Sequence, residues 1–484
     1  MNLNFTPLIP ELFIAGMACV ILVIDLYLKE AQRSITMVLS VATLIVAAGL
    51  SYSDFSASTT VAMNGMFVDD AFGDVLKIAI SLITAVIFVY SRDYAIKRDF
   101  FRGEYFVLAL FAVAGMFVMI SARSLLVLYL GLELLSLCLY VMVAFRRDSQ
   151  WSSEAAMKYF VLGAIGSGMM LYGMSLLYGL TGSLDMEQIR MAVAEHPSDD
   201  LVLILGLIFV LVSMAFKLGA VPFHMWVPDV YQGAPTAATL FVSTAPKIAA
   251  FAMMMRLLVG TLGDLHGAWG DMVIAMSLLS IGIGNTIAIA QTNLKRMLAY
   301  SAISHMGFML LGILSGTAAG YSAAMFYILV YSFVGMGGFG MIVLLSRAGF
   351  EAEEMEDWKG LNKTHPWYAF LMLLLMISMA GIPPTIGFFA KLTVFQAAIE
   401  AGLVWVTVIA VLFAVVGAFY YLRVIKLMYF DDPVGEAPVI ETPRDTRVLL
   451  GINACAVVLL LPFIAPVQAM CVDAVNRLAF LAGG

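Results

Sequence analysis

The stretch SMAFKLGAVPFHMW, residues 213–226, carries an apolar helical run into a lysine, a glycine and a proline inside a candidate membrane crossing. A second stretch, SMAGIPPTIGFFAKL, residues 378–392, does the same with Pro383-Pro384 and Lys391. Both open on Ser-Met-Ala, Ser213 to Ala215 and Ser378 to Ala380. Proline removes a helical donor and clashes with the preceding turn, and non-helical backbone at membrane depth is tolerated only around a cavity or inside protein. Singly, each break reads as a proline kink. As a pair, each with its lysine, they point to the discontinuous helices of a transport site.

Counting apolar runs of about 17–25 residues outward from these breaks predicts fourteen spans. They lie near 8–28, 34–53, 73–91, 104–121, 124–145, 155–180, 200–223 and 235–260, then near 271–291, 296–316, 321–346, 368–395, 402–427 and 447–470. The breaks fall in spans 7 and 12. Five is odd, so two tandem five-helix units must be inverted relative to each other. The expected fold is an all-α polytopic membrane protein of about 14 transmembrane helices, with two inverted five-helix repeats and broken helices 7 and 12. Its parts would be a three-helix segment (1–103), a first repeat of helices 4–8 (104–262), a second, inverted repeat of helices 9–13 (263–428), and a C-terminal loop with helix 14 (429–484).

Composition agrees. Of 484 residues 62% are hydrophobic and 12% charged, half the roughly 25% charged residues of a soluble domain, with a mean hydropathy of +0.97. A soluble globular protein, a disordered chain and a nucleic-acid binder are excluded, and a formal charge of -7 leaves no dominant basic surface. Cys19, Cys138, Cys455 and Cys471 stand singly with no CxxC pair, so neither an iron–sulfur cluster nor structural zinc is expected. The N-terminal MNLNFTPLIPELF has no basic residue ahead of its apolar run, so the first helix is read as retained rather than as a cleaved signal.

Basic residues concentrate in alternate connections: Lys29 and Arg33; Arg92, Lys97, Arg98 and Arg102; Arg146 and Arg147; Lys295 and Arg296; Arg347, Lys359 and Lys363; Arg423, Lys426, Arg444 and Arg447. The intervening connections hold little beyond Arg123 and Arg190. The positive-inside rule then directs both termini to the periplasm or its equivalent.

Four charges lie where a charge costs about 2.5–3.5 kcal/mol on insertion scales: Glu133 in LLVLYLGLELLSLCLY, Lys217, Lys247 in AATLFVSTAPKIAAFAMMM, and Lys391. Lys77, Lys158 and Arg256 lie near span ends, where snorkelling of the long stem is an equal alternative. Neither Glu133 nor Lys247 can reach an interface from mid-span. With no metal spacing, nucleophile–base pair or phosphate loop, these residues suggest proton movement, since burial and a neighbouring carboxylate pull a lysine's proton affinity in opposite directions. A buried Glu–Lys pair that can separate would be a proton switch. Removing Lys247 should delete a costly charge and leave folding largely intact. His305, in YSAISHMGFMLL, is balanced between relay and structural roles, whereas His224 reads as structural.

FKLGAVPFHMWVPDVYQGAPTAATLFVSTAPKIA, residues 216–249, together with GLELLSL around Glu133 and the broken twelfth span, resembles the antiporter-like membrane subunits of respiratory complex I. These are related to multi-subunit sodium/proton antiporters, and a subunit of such an antiporter is the alternative. Within the family the chain is most similar to the N type. It ends soon after span 14, carries Lys391 where the M type has a glutamate, and has SSEAAMKYFVLGAIGSG at 152–168.

The resemblance implies that Glu133 and Lys217 form an ion pair, that Lys247 is the central relay, that Lys391 serves the opposite half-channel, and that Lys158 and His305 connect them. It further implies a proton-translocating, non-redox subunit of NADH:quinone oxidoreductase in a bacterial inner membrane. Such a subunit has no cofactor of its own; NADH, FMN, iron–sulfur clusters and quinone belong to partner subunits. Its expected neighbours are an M-type subunit, small K/J-type subunits and the lipid bilayer.

Overall fold

The computed structural model describes residues 4–55, 59–98, 100–346, 350–433 and 443–478. Arg347, used above for orientation, lies outside them. Twelve helices among the described residues are long and apolar enough to cross a bilayer. They are spans 1 to 11 (Thr6–Tyr27, Ser34–Ser53, Ala71–Lys97, Gly103–Ser121, Leu125–Val143, Gln150–Thr181, Leu201–Leu218, Thr236–Thr261, Gly263–Ala290, Leu294–Leu314, Ala318–Leu345) and span 13 (Val404–Phe430). Span 12 is a pair of short helices, Pro366–Ala380 and Ile386–Glu400. Span 14 is also a pair, Arg444–Leu459 and Leu461–Asn476, bent by 64° beside Pro462. Counting the bent pair as one span gives thirteen, and the span 12 pair, whose apolar half Pro366–Ala380 is short, would make up the fourteen expected.

Span 7 stops at Gly219 (φ +75°), passes through a turn containing a cis Val221-Pro222 bond, and resumes as Trp226–Gly233. Span 12 stops at Gly381 (φ +81°), passes a cis Pro383-Pro384 bond, and resumes at Ile386. In each, a left-handed glycine ends the helix and a cis-proline follows three residues later. Glycine suits this position because only it adopts positive φ without a Cβ penalty. The equivalence corrects the sequence alignment. Ser213 stands six residues before its glycine and Ser378 three before its own, so the shared Ser-Met-Ala is offset by nearly a helical turn. The breaks correspond; that tripeptide does not.

Three features lay outside the expected pattern. Span 8 is itself interrupted: Thr236–Val242 ends, Thr244 adopts φ -122° and ψ -88°, and Ala245–Met254 begins with Pro246 in its first turn. Strand β1 (Thr60–Ala62) pairs antiparallel with β2 (Phe67–Asp69) in a hairpin ahead of span 3. A short helix, Met186–Glu195, lies between spans 6 and 7 and is capped by the Asp185 carboxylate, which accepts from the Glu187 and Gln188 amides. These segments are too short to show in a count of long apolar runs.

Candidate functional site

A helix end leaves its last carbonyls without intrahelical donors and carries a partial negative charge. At the end of span 7, the Gly219 and Ala220 amides and the Trp226 indole take the carbonyls of Ala215 and Phe216. The last two carbonyls are met by a side chain from span 8. Lys247, buried, donates to Leu218 O at 2.7 Å and to Lys217 O at 3.5 Å, with its ammonium 5.1 Å from the Trp226 ring centroid.

Span 12 repeats the arrangement. The Gly381 amide takes Ile377 O and Ser378 O, and buried Lys391 donates to Ala380 O at 2.8 Å and Met379 O at 3.1 Å. Its ammonium lies 5.2 Å from the Phe308 ring centroid. The two mid-membrane lysines thus find their counter-charge in broken helix ends rather than in carboxylates. At span 12 the lysine comes from the resumed half of the same helix; at span 7 it comes from the next span. Lys391 stands ten residues past Gly381, and ten residues past Gly219 stands Asp229.

Lys217 occupies the last turn of span 7 and donates to Ser136 Oγ at 2.7 Å. Ser136 itself donates to Leu132 O, which leaves its lone pairs for the ammonium. Glu133 lies three residues before Ser136 on span 5. Among the described residues its buried Oε1 has no hydrogen-bond partner and it makes no ion pair within 4.0 Å. The expected Glu133–Lys217 contact is not made among the described residues; the ammonium reaches Ser136 instead. Glu133 acts on Lys217 only through space.

His305, buried on span 10, lies between two phenols: Nδ1 is 2.6 Å from Tyr327 Oη and Nε2 is 3.1 Å from Tyr421 Oη. Tyr421 in turn meets the Ser301 hydroxyl. A cavity of about 20 Å³ beside the ring is lined by His305, Tyr327, Tyr331, Ser378, Met379 and Gly387, room for about one water. It links the histidine to the span 12 break on which Lys391 sits. Among the described residues no direct hydrogen bond joins Lys247 to His305, so a proton passing between them requires water.

Lys158 does not join this row. It projects from span 6, about half-exposed, and pairs with Asp229 at 2.8 Å and Glu154 at 2.9 Å. Asp229 also holds Arg296 at 2.7 Å. Snorkelling, in contrast, fails for the other two candidates. Lys77 is fully buried against Glu11 at 2.8 Å and Asp69 at 3.8 Å. Arg256 is buried on Asp70 through two bonds of 2.6 and 2.8 Å. Both form ion pairs inside the protein because carboxylates from span 1 and the hairpin turn inward, which an apolar count of one segment at a time cannot reveal.

Residues 122–417 match the family described as NADH:quinone oxidoreductase/Mrp antiporter, TM. NADH-quinone oxidoreductase subunit N of Thioalkalivibrio sulfidiphilus is 58% identical over 458 residues, 94% of this chain and 95% of that one. The subunit N of Thiobacillus denitrificans is 56% identical, over 98% of both chains. Among solved structures, a chain of respiratory complex I from Thermus thermophilus with bound aureothin superposes with a TM-score of 0.82 at 30% identity, covering 95% of this chain and 98% of that one. A chain of the Mrp complex from Dietzia sp. DQ12-45-1b reaches a TM-score of 0.84 at 20% identity, over 99% and 98%; at that identity the likeness is one of fold.

Proposed function

Since the chain belongs to the membrane-subunit family shared by NADH:quinone oxidoreductases and Mrp antiporters, and is most like its subunit N, we propose that it translocates protons in a bacterial inner-membrane NADH:quinone oxidoreductase. Electron transfer from NADH to quinone would take place on partner subunits. The observation that carries the reading is the seating of Lys247 and Lys391 on two equivalent broken helix ends. An ammonium has three donors and no acceptor. Two hold carbonyls and one is left to pass a proton, so the amine can cycle between charged and neutral forms without surrendering its cap. A carboxylate partner would be left as an unpaired buried charge at each cycle.

Lys217 and Lys247 share the end of span 7, because Lys247 donates to the carbonyl of Lys217. Two ammoniums at one helix end repel, so protonating one favours release from the other. Glu133, Ser136 and Lys217 would thus set the charge state of Lys247. His305 and Lys391 would form the second unit, connected through the one-water cavity. Lys158, at the edge of span 6, suits a contact with a neighbouring M-type or K/J-type subunit rather than a place in the relay. The antiporter alternative has the shared family and fold in its favour, but the Mrp chain is only 20% identical, against 58% for a subunit N.

Orientation and repeats are part of the same reading. A polar vestibule of about 740 Å³ gathers Lys97, Arg98, Arg146, Lys295, Glu351 and Glu353 from separate connections at one end of the bundle. This supports a cytoplasmic assignment for that end and a periplasmic one for the termini. The equivalent breaks support repeats at 104–262 and 263–428. The test is Lys247→Arg in the assembled complex. Turnover and proton pumping should both fall, and wild-type values would overturn the relay.

A further inference from the structure

We propose that the buried face of span 3 forms a second proton route through this subunit, separate from the Lys247–Lys391 relay and closed in this structure by Phe88. The inference rests on the proton-translocating reading and adds a site to it. Along span 3, Asp74, Lys77, Ser81, Thr84, Phe88 and Ser91 recur at intervals of three and four, which places them on one helical face. All six are buried. Five of the six are polar, in a helix whose other buried positions are mostly apolar.

At the end where span 3 begins, Lys77 meets Glu11 of span 1 and Asp69 of β2. Asp74 also bears on Lys77 electrostatically. Ser121, at the end of span 4, donates to Glu11 Oε1, and Arg256, from the end of span 8, is occupied by Asp70. Three carboxyls therefore lie around the Lys77 ammonium, and Glu11 Oε2 is buried with no hydrogen-bond partner among the described residues. A buried carboxyl oxygen left without a donor is a place for water or an exchangeable proton.

The next two turns supply a path inward. Helical serines and threonines usually satisfy their hydroxyls on the carbonyl four residues back, as Ser40, Thr43 and Ser136 do here. Ser81 and Thr84 do not. Both are fully buried, and neither hydroxyl has a hydrogen-bond partner among the described residues. Polar groups in the bilayer must be satisfied internally, so these hydroxyls call for water.

Beyond Phe88 the polar row resumes. Tyr105 Oη lies 3.3 Å from Ser91 Oγ. Three residues on, Tyr94 donates to Glu351 at 2.7 Å, and both Tyr94 and Glu351 line the vestibule. From Thr84 to Ser91 is about 10 Å along the axis, and Phe88 is the one apolar side chain of the row in that interval. It packs edge-on against Phe106, with centroids 5.0 Å apart. When Phe88 moves aside, a proton taken from vestibule water could pass by Ser91, Thr84 and Ser81 to the Lys77–Glu11 cluster, which releases one on the opposite side.

The test uses the assembled complex in vesicles. Ser81→Ala with Thr84→Val should lower the protons moved per NADH oxidised, with uncoupled NADH:quinone turnover at the wild-type level. Phe88→Ser should make an imposed pH gradient collapse several-fold faster, and adding Ser81→Ala and Thr84→Val to it should remove that leak. An assembled Ser81→Ala/Thr84→Val complex with the wild-type proton-to-NADH ratio overturns the proposal. So does its failure to assemble, which would make the hydroxyls packing groups, or a Phe88→Ser leak that persists without them. Where Phe88→Ser does not assemble, the double variant decides. Lys247→Arg in the same vesicles reads the principal relay, so failure of that reading is distinguishable from failure of this one.

Discussion

Lys391 closes the helix that ends at Ala380: its ammonium lies 2.8 Å from that residue's carbonyl oxygen. The contact explains how a cation persists at membrane depth with no carboxylate against it. The partial negative charge of a helix C-terminus supplies the counter-charge, and the neighbouring glycine leaves room for the approach.

That room is testable. A Cβ on Gly381 would lie 2.8 Å from Lys391 Cδ and 3.1 Å from its Nζ, at a backbone φ of +81°. Gly381→Ala should therefore displace the ammonium and depress proton pumping, beyond the about 1–2 kcal/mol that a left-handed alanine costs. Gly402 has φ +82° with open space around it. Gly402→Ala should share the stability loss, read as melting temperature, and keep wild-type pumping.

Lys247→Ala and Lys247→Arg should differ in stability and agree in function. Alanine leaves the Leu218 and Lys217 carbonyls without their donor, at about 1–3 kcal/mol for each buried unsatisfied group. The cap thus replaces the expectation that deleting this charge would be structurally harmless. Arginine can keep the cap but holds its proton. Both variants should lose pumping, and the alanine variant should melt at a lower temperature than the arginine one. Equal melting temperatures would argue against the cap.

Because Lys217 reaches Ser136 rather than Glu133, the strong coupling should be between Ser136 and Lys217. In a double-mutant cycle on quinone-linked turnover, Ser136→Ala and Lys217→Met should be non-additive by about 0.5–3 kcal/mol. Glu133→Gln with Lys217→Met should couple more weakly. Strict additivity of Ser136→Ala and Lys217→Met in assembled complexes would remove the serine from the switch.

Arg256 and Arg92 make similar bidentate bonds in different surroundings. The Arg256–Asp70 pair is buried, whereas the Arg92–Asp445 pair is partly exposed. Breaking a buried pair from one side costs about 3–5 kcal/mol, and exposed pairs contribute about 0–1 kcal/mol. Arg256→Met should lower the melting temperature or assembly yield sharply, and Arg92→Met should leave both near wild type.

Orientation is accessible through fusions. A reporter placed after Lys359 should read cytoplasm, and one at the C-terminus should read the outer compartment. A cytoplasmic C-terminus would mean that one of the crossings counted here does not span.

The all-helical membrane fold, the two interrupted helices and the intramembrane charges were legible in the sequence. Each depends on local properties: apolar run length against bilayer thickness, the backbone limits of Gly and Pro, and the cost of a charge in lipid. What those charges touch was not. Lys217 meets Ser136 eighty-one positions away, Lys77 meets Glu11 across two spans, and Lys247 meets a helix end rather than a side chain. A lone carbonyl has no signature in a string of residues, since every residue has one; only the place where a helix stops creates it. The Ser-Met-Ala match was misleading for the same reason, because identity along the chain says nothing about phase around a helix. Local chemistry thus determined that this chain crosses the membrane with broken helices and buried charge, while tertiary packing decided which partner each charge acquired, because counter-charge is a property of space and not of sequence distance.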